Sequence, residues 1–197
     1  MTHHSKIKIV LASSSTYRKS LLSKILPDFE SASPNIDESR QANEAFPQLA
    51  QRLSIEKAKA LSVRFPNALI IGSDQVAQIG TKQLSKPENA NNCFQQLQSF
   101  QGETAYFHTG LCILNSKTGK LQSAVECYQT RFRSLTDQQI RHYITLEPSF
   151  DCAGGFKMEG LGIALFEKIQ GNDPNILIGL PLIKLIDMLN KEGVAVL

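Results

Sequence analysis

The chain has 197 residues, 42% hydrophobic and 20% charged, with a formal net charge of +3. That is long enough to bury most of the apolar surface of the unfolded state, in one domain or two joined lobes. The mild positive balance suits a small anionic molecule and is far from a nucleic-acid-binding profile, and no long apolar run predicts a signal peptide or a membrane span.

Residues 7–12 are an apolar strand running into Ser13-Ser14-Ser15-Thr16. A helix is predicted over 17–26, with Leu21, Leu22, Ile25 and Leu26 on one face. The hydroxyls can cap that helix, and its free N–H groups form an anion site. Arg18 and Lys19 put positive charge in the first turn, which weakens the helix unless an anion sits there. A short strand over 29–32 is ended by Ser33-Pro34, and a helix over 46–64 follows. Residues 68–72 form a second buried strand, with Ser73-Asp74-Gln75 placed just past its end. Pro87 opens a helix over 88–100 at its first turn.

The middle changes character. Residues 105–115 and 120–133 are rich in aromatic and β-branched residues and flank Ser116-Lys117-Thr118-Gly119, which predicts a long β-hairpin. A helix over 137–146, capped by Thr136, precedes the Gly-rich Ala153-Gly154-Gly155 and a strand over 162–169. Asp173-Pro174 opens a final apolar helix near 182–189. Alternating elements plus an antiparallel hairpin predict an α/β fold with a mixed sheet. Cys93, Cys112, Cys127 and Cys152 show no C-x-x-C spacing and no histidine at zinc-ligand distance. They are expected to be reduced, mostly buried thiols of a cytoplasmic protein.

Several residues could carry chemistry. Asp74, beyond a strand end, can hold a divalent metal or take a proton from water, although a turn aspartate is common there. The pair Asp37-Glu38 suits Mg²⁺ beside substrate phosphates. Arg52, Lys57 and Lys59 read as a solvated helix face, whereas Lys86, beside Pro87 at a helix start, sits where an anion would also bind. Glu159, between two flexible stretches, presents acceptors that match the N1–H and amine donors of guanine.

Taken together, Leu11-Ala12-Ser13-Ser14-Ser15-Thr16-Tyr17-Arg18, Asp37-Glu38, Glu56-Lys57-Ala58, Gly72-Ser73-Asp74-Gln75, Lys86-Pro87, Asp151-Cys152-Ala153-Gly154-Gly155 and Gly179-Leu180-Pro181 fall in one order. That set resembles the Maf family of nucleoside triphosphate pyrophosphatases, once described as septum-formation inhibitors. The resemblance covers nearly the whole chain. It departs in Thr16, where the family often has Pro, and in Ser85, where it has Gly before the Lys-Pro pair.

The resemblance implies a Maf/ITPase-like fold: a twisted mixed sheet with flanking helices, residues 1–197 forming one domain of two lobes around a cleft. It implies hydrolysis of an α–β phosphoanhydride with Mg²⁺ or Mn²⁺, and a homodimer. In that reading Ser13, Ser15, Arg18, Lys57 and Lys86 bind the phosphates, Glu38 and Asp74 hold the metal, and Asp74 is catalytic. Tyr17, Gln75 and Glu159 match the positions that separate substrate classes. An aromatic with Gln and Glu is similar to the subfamily that cleaves 7-methylguanosine triphosphate, although that subfamily more often has Trp where Tyr17 stands. The methylated base is a cation, which an aromatic face favours by about 0.5 to 2 kcal/mol and a carboxylate favours by charge. The alternatives are a pyrophosphatase of dTTP, UTP or other modified nucleotides, and a nucleotide-binding regulator of septum formation. A Rossmann-like cofactor enzyme is disfavoured, since no G-x-G-x-x-G follows the first strand.

Overall fold

The computed structural model describes residues 7–158 and 160–197. Its elements run β1 (Lys8–Ala12), α1 (Thr16–Ser23), β2 (Glu30–Ala32), α2 (Phe46–Ala60), β3 (Ala68–Ile79), β4 (Lys82–Gln83) and α3 (Ala90–Ser99). The hairpin β5 (Thr104–Asn115) and β6 (Leu121–Phe132), α4 (Asp137–Leu146), β7 (Phe166–Gln170) and α5 (Leu182–Lys191) complete them. Two 3-10 turns, Leu161–Leu165 and Pro174–Ile178, flank β7. The strands form one seven-stranded sheet ordered β2-β1-β3-β5-β6-β7, with β4 on β3. β1 pairs in parallel with β2 and β3, and the other pairings are antiparallel, so the predicted mixed α/β sheet is present.

Alternation along the strands sorts the core. Ile9, Leu11, Leu69, Ile71, Leu111 and Ile113 face one way and pack on Leu21 and Leu22 of α1 and on Leu185 and Leu189 of α5. Val10, Ala12, Ile70 and Cys112 face the other way, against Ala58 and Leu61. The far ends of β3 and β5 return to the first face with Ala77 and Phe107, packed against α3, α4, Phe156 and Phe166. Between these two clusters on that face stand polar Ser73, Gln75 and Thr109. Apolar contact therefore stops where the cleft begins.

α2 lies unusually close to the sheet. A Cβ on Gly72 would come 2.0 Å from the Ser54 carbonyl oxygen, and one on Gly110 would come 2.0 Å from that of Ala50. Only hydrogen leaves room for backbone against backbone there.

The sequence reading needs correcting in several places. α1 stops at Ser23 and closes with shorter-range bonds, Lys24 N–H to Leu21 O and Ile25 N–H to Leu22 O, ahead of Pro27. α2 ends at Ala60 in the same way. Ser73-Asp74-Gln75 does not lie past the end of a strand, because β3 continues to Ile79. Pro87 does not open α3. Asn89 caps it by accepting from Asn92 N–H, and Glu88 has a φ of 67°, outside the helical region. The strand expected over 162–169 is instead the 3-10 turn Leu161–Leu165 followed by β7. Asp173 caps the short turn Pro174–Ile178 through Asn175 N–H, and its other oxygen accepts from Ile183 N–H at the start of α5. The Thr136 cap of α4 stands, completed by Gln139.

Candidate active site

β1 ends at Ala12, paired with Gly72, while β3 runs on to Ile79. A cavity of about 680 Å³ opens at that step, within the range of nucleotide-sized pockets. Ser13, Ser15, Tyr17, Arg18, Glu38, Lys57, Asp74, Gln75 and Lys86 all line it. Glu159 lies outside the described residues.

The loop after β1 is shaped by its own hydroxyls. Ser15 N–H donates to Ser13 Oγ at 3.1 Å, and Arg18 N–H donates to Ser15 Oγ at 3.3 Å. Ser15, not Thr16, is therefore the cap of α1. The Thr16 and Tyr17 N–H groups have no acceptor inside the helix and face the positive end of its dipole. Arg18 Nε donates to the Gly179 carbonyl at 2.8 Å, the same oxygen that takes Ser73 Oγ at 2.9 Å. Burial pulls the Arg18 pKa below its usual value, while Asp74 and Glu38 pull it back up. An anion would compensate the charge buried there.

Lys57 reaches up from α2 and is nearly buried. Its Nζ donates to Asp74 Oδ1 at 2.5 Å and is ion-paired with Glu38 Oε1 at 2.8 Å. The Lys57 and Asp74 side chains are 7% and 8% exposed, and that of Glu38 is 57% exposed. Burial raises the Asp74 pKa above the ordinary carboxylate value, with Lys57 and Arg18 opposing the rise. Two carboxylates converging on one ammonium are a donor set that fits a divalent cation. Among the described residues no three His, Cys, Asp or Glu side chains come together, so further ligands would be phosphate or water oxygens, as Mg²⁺ accepts. Asp37 is not part of this convergence. Its Oδ1 accepts from Ser39 N–H at 2.9 Å, which shapes the turn, and the Ser39 side chain and N–H hold its pKa low.

The remaining candidates sit around the rim. Lys86 is exposed at the wall. The Gln75 amide turns inward and donates to Ile176 O and Thr109 Oγ1, leaving its carbonyl oxygen as the group available to a ligand. Tyr17 meets the far wall, where burial raises its pKa and the nearby Lys157 charge opposes the rise. Lys157 Nζ lies 3.7 Å from Asp151 Oδ1.

Residues 8–192 match the family model described as Maf-like protein. The chain belongs to the Maf family. A curated 7-methyl-GTP pyrophosphatase of Colwellia psychrerythraea is 49% identical over 189 residues, 96% of this chain and 94% of that protein. Proteins of the same name from Nitrosococcus oceani and Pseudomonas aeruginosa are each 47% identical, over 96% and 95% of this chain and 95% and 98% of their own. Among solved structures, the Staphylococcus aureus Ham1 protein aligns with a TM-score of 0.45 at 14% identity, over 64% of this chain and 71% of that one.

In this Maf chain the dispersed short motifs come together around one cavity. Sequence reasoning missed Lys157 and Asp151 as wall residues. They lie in the Gly-rich stretch already singled out, where Gly154 and Gly155 turn at φ 83° and 75°. It also misread Arg52, whose guanidinium is bonded to Glu44 and Glu56 rather than solvated.

Proposed function

We propose that this protein is a nucleoside triphosphate pyrophosphatase that hydrolyses 7-methyl-GTP to 7-methyl-GMP and diphosphate. The observation that carries the reading is the convergence of Glu38, Asp74 and Lys57 beside the Ser13–Arg18 anion loop in one nucleotide-sized cavity. The names of the relatives support the same reaction and substrate.

Ser15, the first N–H groups of α1 and Arg18 hold the triphosphate, and Lys57 and Lys86 balance its outer charge. Glu38 and Asp74 would hold Mg²⁺ or Mn²⁺, which when bound neutralises phosphate charge and polarises the phosphoryl group. Asp74 orients a water and takes its proton as the oxygen attacks the α-phosphorus, and diphosphate leaves with the bridging oxygen. Tyr17 and Glu159 select a cationic purine, and Gln75 is the third residue of that selection. The chain works as one domain, its two lobes meeting at the cleft. A cytoplasmic homodimer is part of this proposal.

Steady-state kcat/KM across a nucleotide panel, read as released diphosphate with Mg²⁺ and with Mn²⁺, tests the reading. A preference of at least about tenfold for 7-methyl-GTP over dTTP and UTP is expected, since the cation–π and charge terms together exceed about 1.4 kcal/mol. A pyrimidine preference refutes it. Tyr17→Arg combined with Glu159→Gln should move the preference toward pyrimidines. If septation defects were fully rescued by Asp74→Ala protein, a binding role without turnover would replace this one.

A further inference from the structure

Glu38 sits on a long segment, residues 33–45, that contains no helix or strand. Such a segment holds a carboxylate in place only if something else fixes it. Lys57 secures the tip of Glu38 at 2.8 Å. The backbone next to it is secured from the same helix by Arg52. Arg52 Nη2 donates to the Ser39 carbonyl at 2.9 Å, directly after Glu38. Nε and Nη2 of the same guanidinium form a fork on the two oxygens of Glu44, at 2.7 and 2.9 Å. Nη1 is tied to Glu56 at 3.0 Å, which fixes the fork on α2. Glu44 in turn organises the strip between, accepting from Gln41 N–H at 3.1 Å, and its carbonyl takes Arg40 Nε at 2.7 Å. The Arg52 and Glu44 side chains are 20% and 9% exposed, so this pair is shielded from solvent competition more than a surface ion pair.

We propose that Arg52, acting through Glu44 and the Ser39 carbonyl, is a positioning residue that pre-orders the Glu38 carboxylate for the divalent cation. The inference rests on the reading of Glu38 as a metal ligand. Arg52 does not line the cavity. Its effect is to remove the ordering of residues 39–44 from the work of binding, so that the cation meets a carboxylate already in position. Lysine cannot replace it fully, because a single ammonium cannot grip both Glu44 oxygens and the Ser39 carbonyl in the same planar fork.

The test compares Arg52→Gln, Arg52→Lys and Glu44→Gln with the wild type and with Glu38→Gln. Amide hydrogen exchange on the metal-free protein reads the order of the loop. Mn²⁺ binding in complex with a non-hydrolysable α,β-methylene analogue of 7-methyl-GTP, followed by electron paramagnetic resonance, reads the site. In Arg52→Gln and Glu44→Gln, exchange at Ser39, Gln41 and Glu44 should speed up about tenfold or more, while the amides of α2 keep their protection. The Mn²⁺ dissociation constant should rise about tenfold, the size of effect common for groups behind a metal ligand. The kcat at saturating Mg²⁺ should stay within about twofold, and Arg52→Lys should fall between. Glu44→Gln leaves the helix sequence untouched and reports the same clamp if Arg52→Gln folds poorly. Wild-type Mn²⁺ affinity in both clamp variants, with affinity weakened in Glu38→Gln, overturns the inference. Unchanged affinity in Glu38→Gln removes the metal assignment itself, and the inference with it.

Discussion

Asp74 owes its chemistry to where its side chain emerges. It leaves β3 on the face covered by α2, opposite Gly110, and meets the Lys57 ammonium in a nearly dry setting. Asparagine keeps the shape and removes the carboxylate proposed as the base. Asp74→Asn should therefore lower kcat by about 10²- to 10⁴-fold while the far-ultraviolet circular dichroism is unchanged. A variant that turns over normally would remove Asp74 from the mechanism. The thiols divide on the same principle of environment. Burial pushes Cys93 up to about 11 and Cys112 up to about 12, so neither presents thiolate near neutral pH. Cys127 is exposed, and Cys152 lines the cleft. A chromogenic disulfide reagent at pH 8 should label Cys127 and Cys152 in the native protein, and Cys93 and Cys112 only after denaturation. Bound nucleotide should protect Cys152 and leave Cys127 unaffected.

At the scale of elements, the height of α2 over the sheet is what lets Lys57 reach Asp74. Gly72 and Gly110 set that height by meeting the Ser54 and Ala50 carbonyls. Gly110→Ala has to push α2 outward, because the Ala50 and Gln51 backbone atoms it meets cannot yield as a flexible side chain would. It should cost about 1 to 3 kcal/mol, seen as a lower denaturant midpoint with unchanged slope. Turnover should fall as well, because the Lys57–Asp74 contact lengthens. Most elements are legible in the chain because apolar periodicity reports burial directly: the hairpin, α2, α4 and the first strand all follow it. β3 is the informative exception. Its apolar run breaks at Gly72-Ser73-Asp74-Gln75 because Gly72 makes room for α2, Ser73 bonds the Gly179 carbonyl, and Asp74 and Gln75 line the cleft, so polarity that resembles a turn is in fact a strand. α3 fails for a local reason, since the Asn89 side chain offers a better cap than Pro87 offers a start.

At the scale of the molecule, the cleft is lined from both ends of the long strands. Ser13–Arg18 belong to the α1 side, and Phe156 and Lys157 to the side packed on α3 and α4. Tyr17 and Lys157 interact electrostatically across it. A ligand that bridges both walls stabilises the whole fold by mass action. A non-hydrolysable 7-methyl-GTP analogue at about 100 times its dissociation constant, with Mg²⁺, should add about 2.7 kcal/mol. That corresponds to a rise in Tm of about 5 to 10 °C for a chain of this length. The same analogue of UTP, at equal concentration, should give a smaller rise, and an equal one would count against base selection by Tyr17 and Glu159.

By itself the sequence determined the mixed α/β class, the Ser-rich loop that caps the first helix, and the ordered motifs that point to a nucleotide hydrolase. Each of these is written in local spacing, where period, capping and charge act over a few residues. Only the tertiary structure decided that Lys57 is buried between the Glu38 and Asp74 carboxylates, and that Arg52 grips the loop beside Glu38. Those outcomes depend on strand register and on how closely α2 approaches the sheet. Contacts between residues far apart in the chain set both, and a helical repeat that fits a solvated face fits a buried clamp equally well.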